Sequence, residues 1–249
     1  MKHSPLADRL IPTALVALAL VPCLAGAFRL AELGRGATIT TANARFVEHP
    51  LPVVVHIVSA AIFSLLGAFQ FAPGFRRRRP SWHRIAGRVL VACGLVVAVT
   101  GLWLTWTYPY APGDGALVWG IRQVVGSAML LSMISGLVAV RQRNFAQHSA
   151  WMIRGYAIAM GAGTQVFTHV IWSLTLGSQS ETDRAIVLGA GWMINIVFAE
   201  WVIWRQRRVV GDEVPIRLVI DERPEHRWRR DASGPRIPKQ RLGTGAHMR

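Results

Sequence analysis

Long stretches with almost no charged residues dominate this sequence of 249 residues. There are six of them, each 19 to 25 residues long, and together they cover about half of the chain. Only Arg122 and Glu200 carry a charge inside them. A helix of about 20 apolar residues spans the hydrocarbon core of a bilayer, which is roughly 30 Å thick. The stretches occupy positions 10–28, 51–72, 89–107, 116–140, 155–176 and 185–204.

Backbone hydrogen bonding determines what such stretches become. In lipid, a chain must satisfy its own backbone polar groups, which helices and closed barrels do. The strands of a membrane barrel alternate apolar and polar residues, whereas these stretches are continuously apolar. The sequence therefore predicts an all-α fold: a polytopic membrane helix bundle of six transmembrane helices with a disordered C-terminal tail.

The charged residues are few and mostly basic. They make up 16% of the chain, with 28 Lys and Arg against 13 Asp and Glu, for a net charge of +15. Soluble domains average about a quarter charged residues. The two cysteines, Cys23 and Cys93, are too few for a disulfide framework, and no motif for covalent haem attachment is present. This composition excludes an acidic binding protein and a disulfide-stapled secreted scaffold.

The distribution of arginines predicts the orientation of the bundle. Basic residues cluster between the second and third stretches, between the fourth and fifth, and directly after the sixth. The segment 108–115 has no Lys or Arg, and 177–184 has one. Because cytoplasmic loops carry the excess of basic residues, we expect a multi-pass protein of the inner membrane with both termini in the cytoplasm.

Four regions follow from this pattern. Residues 1–30 form the first helix, and Ala25-Gly26-Ala27 resembles a cleavage site, so it is either a retained signal anchor, which we favour, or a cleaved signal peptide. Residues 31–50 are an external loop, and residues 51–204 form a five-helix membrane core. Residues 205–249 are a basic, disordered cytoplasmic tail, which either is simply solvated or binds anionic lipid headgroups. No aromatic-interleaved basic surface suggests nucleic acid.

Three polar residues fall at similar depth within different predicted helices. His56, Arg122 and His169 lie about 7.5 to 10 Å inside the outer ends of their helices, at 1.5 Å per residue. Polar groups within a span are costly and are functional candidates for that reason. The simpler interpretation is a hydrogen bond to a neighbouring helix for each histidine. Arg122 either snorkels to the headgroups or needs a counter-charge, for which the loops offer Asp114, Glu181 and Asp183.

A second group of polar residues lies at the predicted cytoplasmic face. His83 and His148 each precede a helix and are each followed by arginines. They form either a basic collar against phosphate headgroups or a site that binds one specific anion. The residues predicted to hold an anion or a headgroup are His83, Arg84, Arg88, His148 and Arg154.

These loops resemble a known family. The combination comprises His56, Gly67-Ala68-Phe69-Gln70-Phe71, Arg76, His83-Arg84, Gly87-Arg88 and His148-x-x-Trp151-Met152-x-Arg154. Together they are similar to the uncharacterised bacterial integral membrane family catalogued as domain of unknown function 2306. The resemblance covers roughly residues 50–204. It implies an integral membrane domain whose motif residues are His56, Gln70, His83, Arg84, Arg88, His148, Trp151 and Arg154, and it implies no reaction.

Two classes of function fit these residues, and neither decides whether the protein is an enzyme. The first is membrane electron transfer through a b-type haem, with His56 and His169 as iron ligands, Arg122 near a propionate, and a quinone or another redox partner. The second is a transporter, a lipid- or small-anion-handling protein, or a subunit of a membrane complex, without haem. A zinc hydrolase is a weaker third reading, because the histidines lack the usual spacing and neighbouring carboxylates.

Overall fold

The computed structural model describes residues 5–36, 38–41 and 43–221, and the part of the chain it describes contains helices and no strands. This confirms the all-α prediction. A 3₁₀ turn at Phe69–Phe71 separates α3 from α4. The helices are α1 (Pro5–Gly34), α2 (Ala44–Glu48), α3 (Pro50–Ala68), α4 (Pro73–Arg78), α5 (Pro80–Thr107), α6 (Ala116–Arg141), α7 (Phe145–Ala159), α8 (Gly161–Thr175) and α9 (Glu181–Asp221).

Five helical segments are long and apolar enough to cross a membrane, judged by length and composition. Large apolar side chains such as Phe28, Val124 and Phe198 remain exposed on their outer surfaces. A surface of this kind is expected for a bundle surrounded by lipid tails. The segments are Arg9–Gly34, Pro50–Phe71, Pro80–Thr107, Ala116–Arg141 and Glu181–Arg208.

The predicted span at 155–176 differs from expectation, because two shorter helices replace one continuous helix. α7 and α8 meet at Met160, beside Gly161 and Gly163. A Cβ on Gly161 would collide with the ring of Trp192, and one on Gly163 would collide with the backbone carbonyl of Leu18. Close packing thus requires glycine here, and glycine weakens a helix by about 1 kcal/mol relative to alanine.

The side chain of Asn195 on α9 spans this break. Its Nδ2 donates to the carbonyl of Ala157 at 3.2 Å, and its Oδ1 accepts from the hydroxyl of Thr164 at 2.9 Å. Ala157 precedes the break and Thr164 follows it. Asn195 therefore satisfies a carbonyl at the end of α7 and ties the start of α8 to the same point.

Two further boundaries differ from the sequence prediction. The predicted external loop 31–50 contains the end of α1 and the whole of α2. The predicted disordered tail begins at 205, yet α9 continues to Asp221. Arg and Gln at 205–208 are good helix formers, so a helix can continue past the apolar stretch without burying a core. The part of the tail prediction that concerns residues 222–249 lies outside the described residues.

The core of the bundle forms where glycines let helices approach closely. Gly94 on α5 faces Met133 and Phe63, and Gly67 on α3 faces the ring of Tyr156. The Tyr156 hydroxyl donates to the carbonyl of Ser64 at 2.7 Å, so α7 is joined to α3 by a hydrogen bond as well as by packing. Small residues at helix contacts are typical of membrane bundles. The chain divides into two compact units, 1–207 and 208–249, and all candidate site residues lie in the first.

Candidate functional site

A cavity of about 480 Å³ lies among the helices of the first unit, with walls from every helix except α4. Small residues form much of its wall, so the surrounding helices leave space between them. They include Gly26 on α1, Ala60 on α3, Gly101 on α5, Gly126 on α6 and Gly163 on α8. Ligand pockets in proteins commonly have volumes of about 300–1,000 Å³, so a small molecule fits this space.

Polar groups of the cavity gather where α5 ends and α6 begins. We call Arg45, Tyr108, Asp114 and Arg122 the cavity mouth, and all four line the cavity. Elsewhere the wall is mostly apolar, with His56, Ser64, Thr105 and Gln165 among its polar residues. The cavity thus combines an apolar interior with a charged end, an arrangement that orients an amphipathic ligand.

His56 is held by the hydroxyl of Thr100 on α5, with 2.9 Å between Nδ1 and Oγ1. The Thr100 hydroxyl donates its single hydrogen to the carbonyl of Val96 at 2.6 Å, so it can only accept from the histidine. Nδ1 of His56 therefore carries the proton in the neutral ring. Nε2 is the nitrogen left to accept a hydrogen bond or to bind a metal.

Asp114 is the buried centre of the cavity mouth. Its Oδ2 accepts from Nη1 of Arg122 and its Oδ1 from Nε of Arg184, each at 2.6 Å. The Asp114 side chain is 1% exposed, whereas the two arginines are about one third exposed. Asp114 therefore joins the loop before α6 to both α6 and α9. Among the three loop acids considered from the sequence as counter-charges for Arg122, Asp114 takes that role.

Two glycines allow the loop to place Asp114 between α6 and α9. Gly113 adopts a φ of +79°, a left-handed conformation that side chains disfavour. A Cβ on Gly115 would collide with the carboxylate of Glu181 at the start of α9. The loop consequently packs tightly against α9, and this contact brings Arg184 to Asp114.

Arg45 reaches the cavity mouth from the short helix α2. The 3%-exposed Asn43 fixes that helix: its Nδ2 donates to Oε1 of Glu32 at 2.8 Å and to the carbonyl of Thr38 at 3.0 Å. Nη1 of Arg45 donates to the carbonyl of Pro109 at 3.2 Å. Its Nε is buried and has no hydrogen-bond partner among the described residues. Arg45 was not among the residues predicted from the sequence, because residues 31–50 were assigned to an external loop.

Tyr108 is the aromatic residue of the cavity mouth, and it contacts both α2 and the residue before α3. Its hydroxyl donates to the carbonyl of His49, which precedes α3. The ring of Tyr108 lies 5.9 Å from the ring of Phe46, measured between centroids. Burial raises the pKa of the Tyr108 hydroxyl, so it remains a donor at neutral pH.

The two histidines that were predicted to share an iron differ in their relation to the cavity. His56 lines the cavity and His169 does not. Nδ1 of His169 donates to the carbonyl of Gln165, one turn earlier on its own helix, at 2.8 Å. Arg122, predicted to meet a haem propionate, lines the cavity and pairs with Asp114. One of the two predicted ligands is therefore in the cavity wall and the other is outside it.

The residues predicted to hold an anion at the opposite end have different environments. His83 interacts electrostatically with Arg76, His148 and Arg84, all of them basic. His148 is oriented by the carbonyl of Gly136, to which its Nδ1 donates at 2.9 Å. Arg84 is exposed and donates to the hydroxyl of Ser81, and Arg88 is also exposed. The arrangement brings His83 and His148 near each other.

Arg154, the last of that predicted group, has a carboxylate partner. Its Nε and Nη2 donate to the two oxygens of Glu200 on α9, and its guanidinium lies 4.7 Å from the ring centre of Trp151. Glu200 is the one acidic residue within the six apolar stretches of the sequence. The pair joins α7 to α9, and Nε and Nη2 of Arg154 already have a carboxylate partner.

No cluster of three or more His, Cys, Asp or Glu side chains suited to a metal ion occurs within 5–36, 38–41 and 43–221.

The comparisons with known proteins concern the membrane core. The model of a family described as "Predicted membrane protein (DUF2306)" matches residues 53–203, more than half of the chain. No curated protein and no solved structure matches the chain.

Proposed function

Since the chain belongs to the DUF2306 family of predicted membrane proteins, its cavity lies within a membrane domain, and we propose that this cavity binds a small membrane-soluble molecule. The protein acts on this molecule as a transporter or a lipid-handling protein, without haem. The observation that carries the proposal is the cavity itself, with an apolar interior and a charged mouth. Amphipathic molecules match both parts at once.

His56 supports this function as a polar group of the interior. Because Thr100 fixes its protonated nitrogen, the neutral ring presents Nε2 as an acceptor for a ligand hydroxyl or amide. Gly101, one residue after Thr100, leaves the ring uncovered on that side, and a Cβ there would lie 3.4 Å from Cε1 of His56. A side chain larger than alanine at 101 would therefore occupy the ligand's space.

Haem-linked electron transfer receives less support from the same geometry. A six-coordinate b-type haem uses an axial ligand on each side of the iron, for which the sequence offered His56 and His169. The cavity wall contains one of them. The haem prediction is therefore separate from the cavity proposal, and absorbance spectroscopy tests it.

Photo-crosslinking tests the proposal directly. The full-length protein in phosphatidylcholine nanodiscs is irradiated with a long-chain alkyl diazirine, and the labelled peptides are mapped by mass spectrometry. We expect labelling at cavity residues of α3 and α5, and its loss in Gly101→Leu. Gly120→Leu on α6 is the matched control, because a Cβ at Gly120 meets no atom within 4 Å and Gly120 does not line the cavity. Labelling that is confined to lipid-facing residues and is unchanged in Gly101→Leu would refute the proposal.

A further inference from the structure

Four arginines lie in or beside the cavity mouth, and three of them have carboxylate partners. Arg122 and Arg184 share Asp114, and Arg29 pairs with Glu32. Arg45 has no carboxylate within 4.0 Å in the part of the chain that the structure describes. Asp114 attracts Arg45 electrostatically, but its direct ion pairs are with Arg122 and Arg184. The mouth therefore has one positive charge that the protein leaves unpaired.

The surroundings of Arg45 make that unpaired charge costly. Burial lowers the pKa of its guanidinium from the ordinary value, and Arg122, Arg29 and Arg184 lower it further, against the opposing effect of Asp114. Its guanidinium also lies 4.6 Å from the ring centre of Phe46, whose ring Arg29 approaches at the same distance. Buried charges in proteins are normally paired. A ligand anion at this position would supply the missing partner.

The contacts of Arg45 leave its guanidinium incompletely paired. Nη1 donates to the carbonyl of Pro109. Nε is buried and has no hydrogen-bond partner among the described residues. Arg154 shows what a guanidinium can bind, since its Nε and Nη2 donate to the two oxygens of Glu200 at 2.5 and 2.8 Å. A guanidinium matches an anion that presents two oxygens side by side, as carboxylates and phosphates do.

We propose that the ligand of the cavity is a single-tailed amphiphile with an anionic headgroup, bound by the guanidinium of Arg45 while its tail lies in the apolar interior. This inference rests on the proposed function and adds the chemical class of the ligand. Its headgroup is a carboxylate or a phosphate, which share the two-oxygen geometry. Arg122 is paired with Asp114, whereas Arg45 binds the headgroup.

Competition against the alkyl diazirine probe tests the headgroup. The competitors are a fatty acid, an alkyl phosphate and a fatty alcohol of the same chain length, added to the full-length protein in phosphatidylcholine nanodiscs. We expect at least one of the two anionic competitors to displace the probe about tenfold more effectively than the alcohol, because charge-assisted bidentate pairs are strong. The stronger of the two identifies carboxylate or phosphate as the natural headgroup.

Variants of Arg45 then assign the preference to this residue. Arg45→Gln is expected to remove the advantage of the anionic competitors and to leave displacement by the alcohol unchanged. Arg45→Lys retains the charge and loses the fork, so it is expected to remove most of the advantage, and it serves as the second variant if the glutamine does not fold. Arg141→Gln is the matched control, because Arg141 is an exposed arginine at the end of α6 that does not line the cavity.

The possible outcomes separate this inference from the proposed function. Probe labelling of the cavity with equal displacement by acid, phosphate and alcohol would overturn the anionic headgroup and leave the cavity as a binding site. An anionic preference that survives in both Arg45 variants would overturn the role of Arg45. The absence of cavity labelling in the wild-type protein would overturn the proposed function itself.

Discussion

Arg154 and Glu200 form a two-pronged ion pair between α7 and α9, with Nε–Oε1 and Nη2–Oε2 distances of 2.5 and 2.8 Å. The pair is only partly shielded, since the side chains are 25% and 48% exposed. It joins the first half of the broken α7–α8 segment to α9, whose Asn195 is bonded at the break itself. The two contacts together hold the bent segment against α9.

A double-mutant cycle on Arg154→Ala and Glu200→Ala is expected to give a coupling energy of about 0.5–1 kcal/mol, since partly exposed pairs and polar contacts in membrane proteins have values of this size. Arg154→Lys is expected to lose part of the coupling because lysine lacks the fork. The measurement is unfolding in mixed detergent micelles with increasing dodecyl sulfate. Strictly additive single-mutant effects would show that the pair contributes nothing to stability.

Asp114→Asn is expected to be more destabilising than loss of either of its partners. The substitution leaves two arginines at the cavity mouth without their carboxylate, and we expect the free energy of unfolding to fall by about 2 kcal/mol. Arg122→Gln or Arg184→Gln leaves Asp114 with one partner and is expected to cost about half of that. Glu48→Gln, which changes an exposed acid at the end of α2, is the control. An effect of Asp114→Asn no larger than that of the control would contradict this account of the mouth.

Asn195→Leu is expected to loosen the break between α7 and α8. The variant keeps the branching and the number of heavy atoms of the side chain, leaves the carbonyl of Ala157 without its donor, and removes the partner of Thr164. Hydrogen exchange followed by mass spectrometry should show faster exchange around Gly161, by about tenfold for the loss of one hydrogen bond of about 1 kcal/mol or slightly more. Unchanged exchange at the break would mean that packing of the glycines alone fixes the bend.

An absorbance spectrum separates haem from the cavity proposal. Because only one of the two predicted iron ligands lies in the cavity wall, we expect the protein purified from haem-supplied cells to show no Soret band that requires both His56 and His169. The measurement compares oxidised and dithionite-reduced spectra of the wild type, His56→Ala and His169→Ala. A low-spin spectrum lost in both variants would establish the haem hypothesis and refute this expectation.

Reporter fusions test the orientation derived from the arginine distribution. A reporter active only outside the cytoplasm is expected to be active after Gly113, in a loop without Lys or Arg, and silent after Arg79. Gly113 lies in the loop between α5 and α6, and Arg79 lies just before α5. Because one helix separates the two positions, they must give opposite results. Activity after Arg79 or silence after Gly113 would reverse the predicted topology.

The sequence predicts how deep a residue lies along its helix, but not which way the residue faces around the helix axis. Counting residues placed His56, Arg122 and His169 at similar depth, and Asp114 was among the acids considered for Arg122. Whether a side chain faces the cavity depends on which face of the helix it occupies. Soluble helices reveal this through an apolar stripe, but a membrane helix is apolar all round. The sequence therefore gave no signal that His56 would line the cavity and His169 would not.

The remaining differences arise from contacts between segments distant in sequence. The break at Met160 depends on Trp192 and Leu18 packing against Gly161 and Gly163, and no local pattern reports such partners. Arg45 reaches the mouth because Asn43 anchors α2 to Glu32 on α1. A short helix of this kind has no apolar repeat long enough to be recognised. The available signal for an ordered segment was the group of threonines before Asn43, at positions 38–43.

The close approach of Gly163 to the carbonyl of Leu18 has a consequence for the first helix. Cys23 and Gly26 of α1 also line the cavity, and Cys23 lies 3.6 Å from the hydroxyl of Ser64 on α3, measured between Sγ and Oγ. Cleavage after Ala27 would remove the residues of α1 from the cavity wall and open the cavity on the side where α1 faces α3. A mature protein that keeps α1 and one that begins at position 28 would therefore differ in how much of the cavity wall they provide.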